Sequence, residues 1–469
     1  MGNEDFKLPP GWHCRNLVDC TKGGNISYGI VQPGQHQDDG IGIIRVNNIQ
    51  NGKISVADVL KVSHDVESKF SKTRLEGGEV LLTLVGSTGL SAITTKDLHG
   101  WNVARAVAVI KPSDEISAEW IHICLQSSYT KYFLDSRANT TVQKTLNLKD
   151  VKEIPLPIPP IEERMNLEKI YFDLENKINL NLEINQTLEQ ISQTLFKSWF
   201  VDFDPVIDNA LGAGNPIPEA LQSRAELRQK VRNSADFKPL PADIRALFPA
   251  EFEETELGWV PKGWKISTAG DELVVKGGST PSTSNADFWE NGTIHWTSPK
   301  DLTGNDSKVL LDTSKKITEL GLKKISSGLL PTDTVLMSSR APIGYLALAK
   351  TPMAINQGYI AIPSSKNLSP EYIIYWLENI MDDIKGMAGG TTFAEISKGA
   401  FKTISLVIPS KNIVDEFTRL AHQHFGKVVS NTEQINALTT LRDTLLPKLI
   451  SGELSLEDLP NLVAQTEAA

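Results

Sequence analysis

The chain has 469 residues, 40% hydrophobic and 22% charged, with a net charge of −10, which exceeds one ordinary core and suggests about three units at ~100–200 residues each. No apolar run approaches the ~20 residues of a membrane span, and the opening MGNEDFKLPP lacks the basic and apolar regions of a signal peptide, so a cytoplasmic protein is expected. Three cysteines (Cys14, Cys20, Cys124) without paired spacing support neither a disulfide framework nor a zinc site, even with His13 beside Cys14.

The acid is unevenly placed. Residues 1–150 and 261–400 balance Lys and Arg against Asp and Glu, whereas 151–260 carry a net −8, so a local basic face is permitted in two long neutral segments.

In chain order the sequence reads as a tandem repeat. LPPGW (8–12) returns as VPKGW (260–264), and a lysine with a glycine pair follows each, KGGNIS (22–27) and KGGSTPS (276–282). GEVLLTLVGSTG (78–89) is matched by TDTVLMSSRAPIG (332–344), ANTTVQKTLN (138–147) by GGTTFAEISK (389–398), and VKEIPLPIPPIEE (151–163) by FKTISLVIPSKNI (401–413). Offsets of 250 to 255 that drift while the order holds mean two homologous halves with small loop insertions. Each half opens with ~150 residues of α+β character. VLLTLV and WNVARAVAVI read as buried strands, and AEWIHICLQSS (118–128) and PEYIIYWLENI (370–380) as one helix in two copies.

After each proline stop a long helix is expected. Leu167, Ile170, Leu174, Ile178, Asn181, Asn185, Leu188, Ile191 and Leu195 recur at a mean of 3.5 residues, the coiled-coil period. Adding 250 gives Phe417, Leu420, His424, Val428, Asn431, Ile435, Leu438, Leu441 and Leu445. The helices are expected to pair antiparallel, with Asn181 and Asn431 meeting near a pseudo-twofold axis, the alternative being that each faces water. Two similar domains at the ends of ~58 Å helices would make a calliper for two short sites on a duplex.

Base readout needs Arg or Lys for guanine and Asn or Gln for adenine, and phosphate contacts need cations, hydroxyls and free N–H groups. The loops of the first half offer Lys22, Arg45, Asn47, Asn48, Thr88, Arg137, Asn139, Thr140, Thr141 and Lys144. Those of the second offer Lys276, Ser279, Thr280, Ser282, Lys300, Ser338, Ser339, Arg340, Thr391 and Thr392. Arg340, between two serines and an Ala-Pro turn, is the sharpest of these, and Trp289 and Trp296 are read as core. Any single loop residue is a poor signal; recurrence at matched positions lifts the set.

IPLPIPPIEER before a long helix, INQTLEQISQTLFKSWFVDFDPV (184–206) and LRDTLLPKLISGELSL (441–456) resemble the specificity (S) subunits of type I restriction-modification systems. The resemblance covers nearly the whole chain. It implies two α/β target-recognition domains joined by two long antiparallel coiled-coil helices. The expected parts are a first recognition domain (1–155), a first conserved helix (156–205), a connector (206–257), a second recognition domain (258–408), and a second helix with C-terminal tail (409–469). It also implies a DNA-binding subunit that is not catalytic and binds no cofactor. Two methyltransferase subunits would supply S-adenosylmethionine-dependent adenine-N6 methylation, and restriction subunits, held through them, would supply ATP- and Mg-dependent cleavage. The sequence itself has no Walker A loop, no Asn/Asp-Pro-Pro-aromatic motif and no metal cluster. Phe196, Trp199, Phe200 and Phe203, with the outward helix faces, are candidates for partner docking; a core that caps the helices is an equal and compatible reading of the aromatics. The acidic run EFEETE (251–256) is expected to face away from DNA. Other readings are a coiled-coil scaffold without DNA, an enzyme with an unrecognised site, or the specificity component of another split-site restriction system.

Overall fold

The computed structural model describes residues 8–50, 52–137, 145–235, 237–304, 307–389 and 394–451. They form two compact units whose boundaries, Ile178/Asn179 and Asn436/Ala437, fall inside the two long helices.

In the first unit, a four-stranded antiparallel sheet runs in the order Thr21–Tyr28, Val107–Pro112, Val80–Thr83, Ser91–Ile93. Its central strands carry continuous apolar runs, Val80–Leu82 and Val107–Ile110, because both faces are covered. Val80, Leu82, Ala108 and Ile110 enter one core with the helix Ala118–Gln126, and Leu81, Val107 and Val109 enter a second core on the opposite face. That split is the two-residue period of a strand made physical. Ser117 caps the helix by accepting from the Trp120 N–H, and Trp120 donates its indole N–H to the Pro157 carbonyl at 2.8 Å. A smaller sheet places Ile41–Ile44 between Leu60–Val62 and Asn102–Val103, the last pair parallel. The expected single strand WNVARAVAVI is therefore two strands in different sheets, joined by a turn at Ala104–Ala106. Asn102 explains the break: its fully buried side chain is tied to Thr73 and Glu67, fixing that end of the run in the smaller sheet.

The second unit repeats this plan. A five-stranded sheet has the order Leu273–Lys276, Tyr359–Ser365, Thr334–Ser338, Leu346–Ala349, Val309–Leu310, and the helix Pro370–Asn379 is capped by Ser369. Ile294–Thr297 lies between Lys315–Ile317 and Met353–Ile355, the last again parallel. Each unit also has a two-stranded antiparallel pair, His13–Asn16 with Pro155–Ile158 and Lys265–Thr268 with Ser405–Ile408. A proline-bearing strand fits such an edge, where missing N–H groups break no ladder on the open side.

The long helices span Ile161–Phe196 and Lys411–Ser451. Their inward positions alternate steps of three and four residues, and the two helices keep the same pattern at an offset of 250. The predicted stripe needs correction within it. Tyr171 and Ser192 hold the seam rather than Ile170 and Ile191, and Ala421 and Arg442 rather than Leu420 and Leu441. Ile191 is 48% exposed and Leu441 42%. Sequence hydrophobicity favoured isoleucine and leucine at these steps, but the strict heptad geometry sends them one residue off the buried face.

In the second unit the helices run antiparallel. Asn181 donates to Gln434 at 2.7 Å, Asn431 donates to Asn185 at 2.8 Å, and Ser192 meets His424 Nδ1 at 2.7 Å. Asn181 and Asn431 therefore do not meet. Position 185 stands opposite 431, so the pairing is centred at 183 and 433, two residues past each asparagine, and each finds a different amide instead. All these amides are satisfied, as burial demands. In the first unit Arg442 pairs with Glu175, and Leu449 packs with Leu167 and Tyr171.

The aromatic cluster is also corrected. Phe196, Trp199, Phe200 and Phe203 lie in the core of the second unit, each less than 10% exposed. Phe200 packs on Tyr372 with centroids 4.8 Å apart, and Trp199 on Phe248 at 5.0 Å. Burying these rings removes a large apolar area from water, and the capping-core reading holds over the docking one. In the connector, helices Asp204–Ala213 and Gln222–Arg232 are joined by Arg224 to Asp204 and Arg228 to Asp208. The acidic run forms the strand Phe252–Thr255, paired in a hairpin with Gly258–Pro261.

Candidate nucleic-acid interface

Both units build one backbone device at the junction of their sheets. In the second unit the strand Met353–Ile355 leaves the small sheet, turns at Asn356-Gln357-Gly358 and enters the large sheet as Tyr359–Ser365. Asn356 N–H donates to the Thr297 carbonyl at 3.0 Å, Ser339 N–H to the Gly358 carbonyl at 2.8 Å, and Ile396 N–H to the Ser339 carbonyl at 3.1 Å. In the first unit Ala104 donates to Ile44 at 2.9 Å, Leu84 to Ala106 at 2.8 Å, and Leu146 to Leu84 at 2.8 Å. The crossing strand is anchored alike, by Ser279 N–H on the Ile355 carbonyl and Ile30 N–H on the Val103 carbonyl.

These bonds fix which residues correspond. Gly278 and Gly29 are equivalent, and a Cβ on either would lie 1.8 Å from the carbonyl oxygen of Ile355 or Val103. Only glycine allows that approach. The KGG match of the sequence is thereby overturned: Lys276 and Ser27 face the equivalent partners Ala361 and Val109, whereas Lys22 sits at the start of the strand Thr21–Tyr28. A chance lysine-glycine pair outweighed the true match, whose only shared residue is the glycine.

Around this junction the second unit has a cleft of about 770 Å³, lined among others by Gly278, Ser339, Gln357, Tyr359, Glu395 and Lys398. Burial pushes the Tyr359 phenol well above its ordinary range, so its hydroxyl keeps its proton and pairs with Thr297. Thr280 donates its hydroxyl to Gln357 Oε1 at 2.7 Å, and Ser279 donates to the Lys324 carbonyl at 3.1 Å. Arg340, half-exposed, stands 3.7 Å from Glu395 and bridges it through the backbone. The structure thus brings Lys276, Ser279, Thr280, Ser339 and Arg340 to one region.

Other predicted residues have structural duties. Asn48 is buried; its Oδ1 accepts from the Arg45 N–H and its Nδ2 donates to the carbonyls of Ser55 and Asp58, which removes it as a base reader. Its counterpart is Asp301, which accepts from the Ser298 N–H. Burial works to raise the Asp301 carboxyl, but the N–H and hydroxyl donors of Ser298 and Ser314 offset it and leave the group below its ordinary value. Ser338 is fully buried, donating to the Pro342 carbonyl and accepting from Tyr345 N–H, and Ser339 is buried in the wall. Ser338 is thereby corrected from a contact residue to turn scaffolding, whereas Ser339, held by its backbone bonds, lines the cleft. Arg45 reaches the Asp58 carbonyl, Lys22 pairs with Asp114, and Arg137 pairs with Glu153 and stacks on Phe133. Asn47, Lys276, Ser282 and Lys300 are exposed and Thr88 half-exposed. Trp289 and Trp296 pack edge to face in a core, as read. Asn139, Thr140, Thr141, Lys144, Thr391 and Thr392 lie outside the described residues.

Matched polarity across the halves does not hold at these points: Val85 occupies the place of Arg340, and Asn47 that of Lys300. The frame recurs and the side chains differ. Sequence reasoning missed Arg105, Gln357 and Lys398. Arg105 was legible as a lone cation inside an apolar run, and Gln357 as the centre of an Asn-Gln-Gly turn.

Among the described residues, no group of three or more His, Cys, Asp or Glu is placed to hold a metal, and no helix is long and apolar enough to cross a membrane.

The family model of the type I restriction modification DNA specificity domain matches residues 33–190 and again 261–440. The chain is 28% identical over 435 residues to the type I restriction enzyme HindI specificity subunit of Haemophilus influenzae, covering 88% of this chain and 94% of that one. It is 32% identical over 197 residues to the MjaIX specificity subunit of Methanocaldococcus jannaschii, covering 42% and 45%. Its fold is shared with the crystal structure of a type I restriction-modification S subunit from M. genitalium, at 13% identity and a TM-score of 0.54, covering 96% and 98%. With both halves matched and the repeat visible bond for bond, this chain belongs to the type I restriction modification DNA specificity family and is a specificity subunit with two such domains.

Proposed function

We propose that each domain, residues 1–155 and 258–408, reads one half of a split duplex target, and that the chain performs no chemistry itself. The observation that carries this reading is the duplicated junction: the same backbone bonds present different side chains in the two units, as two readers of unlike half-sites require. Exposed Lys276, Lys300, Thr280 and Ser282 supply sequence-independent contacts to phosphate, whose strength falls with salt.

Chemistry belongs to partners. Two methyltransferase subunits bring S-adenosylmethionine and flip the target adenine for N6 methylation, and restriction subunits held through them bring ATP and Mg, all within the cytoplasm. With the aromatic cluster buried, docking of the methyltransferases falls to the outward helix faces, where Leu180, Leu182 and Ile191 are exposed.

Methylome sequencing of cells carrying the chain with its methyltransferase partners tests the reading. A motif of two defined halves around an unread gap is expected. An uninterrupted motif, or none, refutes it.

A further inference from the structure

Resting on the two-reader function above, the geometry points to Arg105 and Gln357 as homologous base-contacting residues that set the identity of one base pair in each half-site. Each sits at the middle of the three-residue turn between the two sheets, Ala104-Arg105-Ala106 and Asn356-Gln357-Gly358. The hydrogen bonds that equate the turns also hold them. The residue before each takes its N–H to a neighbouring strand, and the residue after each gives its carbonyl to the wall, at 2.8 to 3.0 Å in all four cases. Arg105 is further fixed by its own N–H, which donates to the Ile30 carbonyl at 2.9 Å. A backbone pinned from both sides ties up little further conformational entropy on binding.

From these rigid turns rise side chains that are exposed while their neighbours Val103, Val107, Ile355 and Tyr359 are buried. They belong to two residue types that make paired hydrogen bonds to base edges in the major groove, Arg to guanine O6 and N7, Gln to adenine N6 and N7. Gln357 is moreover oriented. Thr280 donates to its Oε1, which leaves the second lone pair and the Nε2 hydrogens to face a base in the acceptor-and-donor order that adenine requires. Gln357 also lines the cleft of the second unit. One position in one frame thus offers a guanine reader in the first domain and an adenine reader in the second.

The test uses the whole chain with its methyltransferase partners. Arg105→Gln and Gln357→Arg are each introduced, and the motif is read by methylome sequencing, with affinity measured on the wild-type site over a range of salt. Each exchange is expected to change the preferred base at one position of one half-site, leaving the other half and the gap alone. Discrimination there should move about fivefold to a hundredfold, as ~1–3 kcal/mol per bidentate pair implies. If Arg105→Gln keeps the motif and lowers affinity alike on all sequences with a shallower salt slope, Arg105 is a phosphate contact and the inference is overturned. An unchanged motif with unchanged affinity overturns it too. A wild-type protein without a split motif would instead sink the parent reading, so the two failures are distinct.

Discussion

At the scale of single residues, burial decides which polar groups are free to act. Asn48, Ser338 and Asp301 have the chemistry of contact residues and are used up holding turns, whereas exposed Arg105 and Gln357 stand on turns that other groups hold. His122 shows the same economy with a titratable group. It is buried in the first unit with Nδ1 3.0 Å from Ser91 Oγ, and burial lowers its pKa to about 4. An unfolded histidine titrates near ~6.5, so between those values the unfolded chain binds the proton first. The stabilisation from keeping His122 neutral is complete above ~6.5 and is lost as pH falls toward 4. Going from pH 7 to pH 5 should cost the first unit about 2 kcal/mol, seen as lower protection factors against amide exchange, corrected for the intrinsic rate at each pH, in the helix Ala118–Gln126. His122→Gln should remove that pH dependence. A helix equally protected at both pH values in the wild-type chain would contradict the assignment.

At the scale of elements, the long helices separate what pattern can and cannot disclose. The repeat offset of 250, the strand, proline stop and helix start, and the helices at 118–128 and 370–380 were legible because each is fixed by local periodicity. The seam was legible only in its mean spacing. Hydrophobicity selected Ile191 and Leu441, whereas the seam steps are taken by buried Ser192 and partly buried Arg442, polar groups whose partners His424 and Glu175 come from the other helix and are invisible to a local reading. The Asn181–Asn431 contact failed for a related reason, since antiparallel register is set by the whole interface. The junction turn was hidden because its anchors come from strands far away in sequence; of its residues only the glycine is dictated by the backbone. The corrected seam makes a discriminating pair of substitutions. Ile191→Glu should change stability by less than about 0.5 kcal/mol, as exposed positions do. Leu188→Glu, three residues away and packed against the core of the second unit, should cost several-fold more. Chemical denaturation of the two variants decides it, and equal losses would return Ile191 to the seam.

At the scale of the whole molecule, the repeat joins two readers of one design through helices whose pairing is centred at Glu183 and Glu433. Because those positions stand opposite one another and the helices run antiparallel, seven residues inserted after Glu183 and seven inserted between Thr432 and Glu433 would lie opposite each other. A heptad preserves the alternation of three and four on both helices, so no other pair is displaced. Each helix lengthens by about 10 Å at ~1.5 Å per residue. That corresponds to about three base pairs of a duplex that rises ~3.4 Å per pair. If helix length sets the distance between half-sites, the gap in the methylated motif should grow by about three positions while both halves stay as they were. The measurement is again the methylome, now compared between the wild-type and lengthened chains. Altered halves around an unchanged gap would mean that the inserted heptads had disturbed the readers, and that the spacing is held by something other than these helices.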